Sequence, residues 1–202
     1  PINLASQSGV GKYAGYTEQQ LYQGLAVFEL PREPGSAFEY SNWGFGLLGN
    51  ALAHCAGKSY EALLAERITG PLEMRDTMFG VTEAGRSRMA AGYDVKLQAM
   101  PNESTGALAG AGGLVSTVDD LLTFVELFLG RGPQPLVAAA ATMLEPRRPG
   151  DDPQTRMALG WRVSTSDNMQ TIWSSGRADG YRSFMAFDPE ARLAVVALTN
   201  AA

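Results

Sequence analysis

The chain has 202 residues, 45% hydrophobic and 18% charged, with a formal net charge of −5; this is the balance of an ordinary folded chain, long enough for one large domain or two small ones, and it excludes disorder. Sixteen basic residues scattered among 21 acidic ones exclude a phosphate-binding surface, and with it nucleic acid as a partner. A single cysteine, Cys55, and a single histidine, His54, exclude a disulfide framework and a Cys/His zinc site; no metal or cofactor is expected, and no apolar run approaches the roughly 20 residues of a membrane span.

Residues 1–16 read as a loop rich in Gly and Ser. Thr17-Glu18-Gln19-Gln20 is a capping-box signature, and Leu21, Tyr22, Leu25 and Phe28 follow at helical spacing, so a helix is expected to end before Pro31. Pro34-Gly35 then marks a turn, followed by a short extended piece. Tyr40-Ser41-Asn42 leads into a helix from about Trp43 to Ala56 with Gly57 as its stop. Its periodicity places Leu47, Leu48, Ala51, Leu52 and Cys55 on the core face, and Cys55 is expected to be a buried structural thiol. In local terms the triplet is a helix cap, with Ser41 or Asn42 as the capping residue.

Ser59 caps a further short helix that Gly70-Pro71 closes, and residues 72–113 show little periodicity. The small-residue run Ala107 to Gly113 has no Gly-Lys-Ser/Thr after it, so it reads as close backbone packing rather than a phosphate cradle. Ser116-Thr117 precedes the cleanest amphipathic pattern of the chain, Val118, Leu121, Leu122, Val125, Phe128 and Leu129, ended by Gly130. Five prolines between 131 and 155 leave room for one helix around Val137 to Leu144. After Met157 the period changes to that of strands: Leu159–Val163, Met169–Trp173, Tyr181–Phe187 and Arg192–Thr199. The run Leu193 to Leu198 is apolar without alternation, which predicts burial on both faces.

The fold class expected is mixed α/β (α+β): a mainly helical region over residues 1–156, then antiparallel strands over 157–202, with helices covering the sheet. The chain stops just after a strand with the character of a central one. That leads to the expectation that it is part of something longer, or that a dimer or complementing segment supplies the missing strands.

A serine nucleophile needs a base within reach and an oxyanion hole. No serine here has glycine two residues before and two after it, and none is followed by lysine at the third position. Cys55-Ala-Gly-Lys58 has that spacing with a thiol, on a helix face expected to be buried. The chain therefore holds no self-evident nucleophile.

Several motifs nevertheless stand in one order: Pro34-Gly35 with Tyr40-Ser41-Asn42; Pro71-Leu-Glu-Met-Arg-Asp-Thr-Met78; Ala109-Gly-Ala-Gly-Gly-Leu-Val-Ser-Thr-Val-Asp-Asp120; and Gly180-Tyr-Arg-Ser-Phe-Met-Ala-Phe-Asp-Pro189 with Val195 to Asn200. Together they resemble the serine β-lactamase and penicillin-binding protein superfamily, in its class C β-lactamase, esterase and D-aminopeptidase branch. The resemblance implies a serine hydrolase that acts on a small-molecule amide or ester (a β-lactam, a D-amino peptide or a simple ester) through an acyl-enzyme. The family's Ser-x-x-Lys nucleophile would lie upstream of the segment matched by Leu4 to Gly9, outside this chain. Tyr40 matches the phenol that moves the proton, and Asn42 the amide that binds the substrate's carbonyl. Ser174-Ser175-Gly176 falls on the third motif, with Arg177 lending its backbone N–H to the oxyanion hole. Ser174 replaces the cation usual there, and Asp179 stands where small residues are usual. These departures favour the competing expectation, a degenerate relative that keeps the fold as a binding or scaffold module. Relatives of this kind are commonly exported.

Overall fold

The computed structural model describes residues 15–80, 83–100, 106–145, 148–150, 152–166, 169–178 and 180–201. The helical elements are α1 (Glu18–Ala26), α2 (Asn42–Ala56), α3 (Tyr60–Leu64, continued by a π turn over Ala65–Thr69), α4 (Glu83–Arg86), α5 (Val118–Glu126, continued by a 3-10 turn over Leu127–Leu129) and α6 (Gln134–Met143). A 3-10 segment, Gly106–Ala111, precedes α5. Short strands β1 (Met78–Phe79) and β4 (Leu114–Val115) pair with each other, as do β2 (Gly92–Tyr93) and β3 (Ala99–Met100). The main sheet is antiparallel and six-stranded, in the order β10-β9-β8-β7-β6-β5. Its strands are β5 (Arg148–Pro149), β6 (Thr155–Met157), β7 (Arg162–Ser166), β8 (Met169–Ala178), β9 (Tyr181–Asp188) and β10 (Leu193–Thr199). Strand β5 precedes the boundary expected at residue 157, and β6 straddles it. Pro149 stands on the outermost strand, where its missing N–H breaks no ladder. Among the described residues no helix is long and apolar enough to cross a membrane.

The helix ends follow the sequence signals. The Thr17 side chain accepts from the Gln20 backbone N–H while the Gln20 amide oxygen accepts from the Thr17 N–H, a reciprocal capping box. Gly57 and Gly130 close their helices in the left-handed region, at φ 63° and 79°, where a Cβ would be strained.

Two apolar clusters hold the chain. The larger joins one face of the sheet to α5 and α6: Val125, Phe128 and Ala140 meet Trp161, Val163, Ile172 and Phe187. The smaller joins Leu21 of α1, Trp43 of α2 and Leu108. The sheet's other face departs from expectation. Ala194 and Val196 of β10 pack on the larger cluster, but Leu193 and Val195, which alternation sends the other way, are 66% and 58% exposed. Within the described residues, helices cover one face of β10 rather than two; an apolar run says that both faces avoid water, not what covers them.

A polar tie fixes the loop ahead of β1 to α5. Asp120, in the first turn of α5, accepts from the Asp76 backbone N–H at 2.9 Å and from the Thr77 hydroxyl at 2.8 Å, and Thr77 is 2.7 Å from the Ser116 hydroxyl. Arg88 grips the Asp76 carboxylate with both terminal nitrogens. That bidentate bond holds the Asp76 carboxyl below its usual range. A carboxyl whose folded pKa is depressed adds stability that is full above its unfolded value, near 4, and is lost as pH falls through the lower folded value. Asp76→Asn is therefore expected to flatten the acid limb of a urea-midpoint profile below about pH 4. The change at neutral pH should be small, because the pair is solvent-exposed. An acid limb identical to that of the unaltered chain would contradict this.

Candidate functional site

Extended backbone sends alternate side chains to opposite sides, and the step from Tyr40 to Asn42 uses that alternation. Ser41, at φ −147° and ψ 109°, turns inward, is buried, and its hydroxyl accepts from the Gly44 N–H at 2.9 Å. Ser41 is thus the cap, which leaves Tyr40 and Asn42 on the other side. The Tyr40 hydroxyl donates to the Asn42 amide oxygen at 2.8 Å, and Tyr40 is 52% exposed. A phenol and an amide are held together at a helix N-terminus, with the phenol open to solvent.

The placement of α2 depends on small residues. Trp43, Gly46, Gly49 and Ala53 form its buried face. The Cα atoms of Gly49 and Gly110 face each other so closely that a Cβ on Gly49 would lie 3.1 Å from Gly110; a Cβ on Gly110 would lie 2.7 Å from the Phe45 carbonyl oxygen, and one on Gly46 would strike the Leu108 side chain. The expectation of close backbone packing in the small-residue run is met here, but the core face of α2 is not the expected one. Leu48 and Leu52 are about half exposed, and Cys55 is an exposed free thiol instead of a buried one. The physical reason is that α2 is apolar on both sides, and periodicity favours its larger side chains although its glycines make the closest approach.

Ser174, Ser175, Gly176 and Arg177 lie on β8. Strand β7 pairs with β8 only over Met169–Trp173, whereas β9 pairs with it from Ile172 to Ala178. Among the described residues, the stretch Ser174–Ala178 therefore overhangs β7 and presents one open edge of backbone groups. Alternation puts Ser174 and Gly176 on the side of Ile172, and Ser175 and Arg177 on the side of Trp173. Arg177 stands opposite Arg182 in the ladder, so its guanidinium is on the other face from Ser174. The hairpin beside it is secured by Tyr181, whose hydroxyl donates to the Ala90 carbonyl at 2.7 Å, and by Asn200, whose amide donates to the Ala91 carbonyl at 2.8 Å. Burial pushes the Tyr181 phenol up, so it remains a donor.

The triplet and the overhanging strand are two separate pieces of local geometry, and Asp179 lies outside the described residues. Sequence reasoning missed the overhang, Tyr181, Asn200 and the Asp120 tie, because each depends on register or on partners distant in the chain. A shallow hollow of about 510 Å³ between Pro153, Gln154, Arg156, Val163, Thr165 and Gln170 has none of the expected site residues in its wall. Among the described residues no group of three or more His, Cys, Asp or Glu side chains gathers to hold a metal ion.

A family model described as Beta-lactamase matches residues 4–202. A human protein described as beta-lactamase-like 1 is 32% identical over 171 residues, covering 82% of this chain and 34% of that protein. The D-alanyl-D-alanine-carboxypeptidase/endopeptidase AmpH of Escherichia coli K12 is 35% identical over 113 residues, 56% of this chain and 29% of that protein. Among solved structures, a class C β-lactamase from Rhodobacter sphaeroides matches with a TM-score of 0.80 at 26% identity, over 92% of this chain and 61% of that one. A β-lactamase/D-alanine carboxypeptidase from Pseudomonas syringae matches in fold with a TM-score of 0.83 at 21% identity, over 91% and 60%. The chain thus spans about a third of these curated relatives and about 60% of the solved chains. With the family model matched from residue 4 to residue 202 and the class C fold shared, the chain belongs to the β-lactamase family within the serine hydrolase superfamily.

Proposed function

We propose that residues 1–202 supply two walls of a serine hydrolase site that acts on an amide or ester through an acyl-enzyme, and that the nucleophilic serine comes from polypeptide outside these residues. The observation that carries this reading is the Tyr40–Asn42 pair, held outward at the start of α2 by the inward turn of Ser41. In the acylation step the serine oxygen bonds to the substrate's carbonyl carbon, and the carbonyl electrons move onto its oxygen. Tyr40 takes the serine's proton and returns it to the leaving amine or alkoxide as that bond breaks. Asn42 binds a substrate carbonyl. The overhanging edge of β8 at Ser174–Arg177 runs beside the substrate, with the Arg177 N–H directed at the developing oxyanion.

A phenol ionises near 10, so it serves as a base only beside a cation. Ser174 provides none, and the requirement falls on the lysine that accompanies the serine in Ser-x-x-Lys. Ser174 is also what favours the second reading, a catalytically silent relative that binds without turnover.

The protein encoded by the whole reading frame that contains residues 1–202 is the one to test. A labelled fluorophosphonate or β-lactam should attach covalently, one label per chain, with none on residues 1–202 alone. Absence of an adduct at high label concentration would overturn the hydrolase reading and leave the silent one.

A further inference from the structure

Tyr40 is half exposed, so packing alone does not set where its phenol points. The stretch that delivers it is exposed as well: from Pro31 to Tyr40 every residue is open to solvent except Phe38, which is half-buried. A surface segment with so little apolar anchoring keeps one shape only where polar contacts close it, because each loose residue retains its backbone freedom. Three contacts do so here. The Ser36 N–H donates to the Glu33 carbonyl at 3.2 Å, across the Pro34-Gly35 turn in which Gly35 takes φ 79°. The Arg148 guanidinium of β5 lies against that turn, so near that a Cβ on Gly35 would sit 3.4 Å from it. The Arg32 guanidinium donates to the Glu39 carboxylate, which joins the two ends of the loop across a separation of seven positions.

We propose that Arg32 and Glu39 form a clasp that positions Tyr40 for proton transfer. Glu39 directly precedes Tyr40, so holding its side chain holds the peptide from which the phenol extends. Ser41, on the other side, is held by the bond its hydroxyl accepts from the Gly44 N–H. Tyr40 therefore stands between a clasped neighbour and a capping one, and the phenol needs only its own bond to Asn42 to fix its direction. The side chains of Arg32 and Glu39 are 37% and 31% exposed, and an ion pair this open adds little to global stability. A proton acceptor displaced by roughly 1 Å, in contrast, loses up to about 10²-fold in rate. These two scales separate a positioning role from a structural one. The purpose of the clasp rests on the hydrolase reading; the clasp itself rests on the ion pair and the exposure of the loop.

The product of the whole reading frame is again the protein to test. Arg32→Gln and Glu39→Gln should each slow fluorophosphonate acylation, and lower kcat on p-nitrophenyl acetate, by about 10- to 100-fold, with KM changed less than about threefold. The thermal midpoint should move by less than about 2 °C. Arg32→Glu with Glu39→Arg restores the bond with its ends exchanged and should regain most of the lost rate. 3-Fluorotyrosine inserted at position 40 reads the phenol without turnover: its fluorine resonance should shift in both Gln variants and return in the exchanged pair. In a protein that takes the label, equal rates in the Gln variants would overturn the proposal. So would a midpoint that falls in step with the rate, or an exchanged pair as slow as the single variants. A shifted resonance in a protein that takes no label would uphold the clasp and remove the hydrolase reading, and an unmoved one there would remove both.

Discussion

Trp161→Ala is expected to destabilise the chain by about 3–5 kcal/mol, the range for truncating a fully buried aromatic. Trp161 sits where helices and sheet meet. Its ring lies 4.9 Å from Phe128 and 4.9 Å from Phe187, both edge-on, while Phe128 is 5.0 Å from Phe187 and Phe124 packs against Phe128 at 5.4 Å. These rings carry α5 onto β9, so removing the indole leaves a void lined by Phe124 and Phe128 of the α5 stretch and Phe187 of β9, which cannot close without moving α5 off the sheet. For a chain of this size the loss corresponds to roughly 6–20 °C in thermal midpoint. A shift under about 2 °C, read by calorimetry or circular dichroism, would mean that the cluster is not the core of the larger half.

Tyr40→Phe should reduce acylation of the whole protein by about 10²–10⁴-fold, the usual contribution of a positioned proton acceptor. The thermal midpoint should be essentially unaltered, because the hydroxyl faces solvent and the Asn42 amide it donates to is another half-exposed polar group. The combination is diagnostic. A structural role would lower the midpoint together with the rate, and a retained acylation rate would show that the proton moves by another route.

Much of this architecture was legible in the sequence where the determinant was local. Thr17 with Gln20, Ser41, Gly57 and Gly130 mark helix ends through side-chain chemistry and left-handed backbone that act within four residues, and each does so in the structure. The ordered motifs from Pro34 to Asn200 placed the family. What failed was long-range. Size and spacing point Leu48, Leu52 and Cys55 inward because they say which side chains avoid water, but not which side of a doubly apolar helix makes the close approach. The exposure of Leu193 and Val195 has the same origin. Of the candidate site, Tyr40 and Asn42 stand out by their order among motifs, whereas the overhang of Ser174–Ala178 depends on where β7 begins, and that is set by the turn from Ala158 to Trp161.

The glycine contact that seats α2 also has a consequence for synthesis. Gly46 must wait for Leu108, 62 positions later, so on a ribosome adding roughly 5–20 residues per second α2 spends about 3–12 s in the open before its near side can be covered. For that interval both of its oily sides face the cytosol or a chaperone at once, which makes the stretch from Trp43 to Cys55 the natural place for a holding factor to grip the nascent chain.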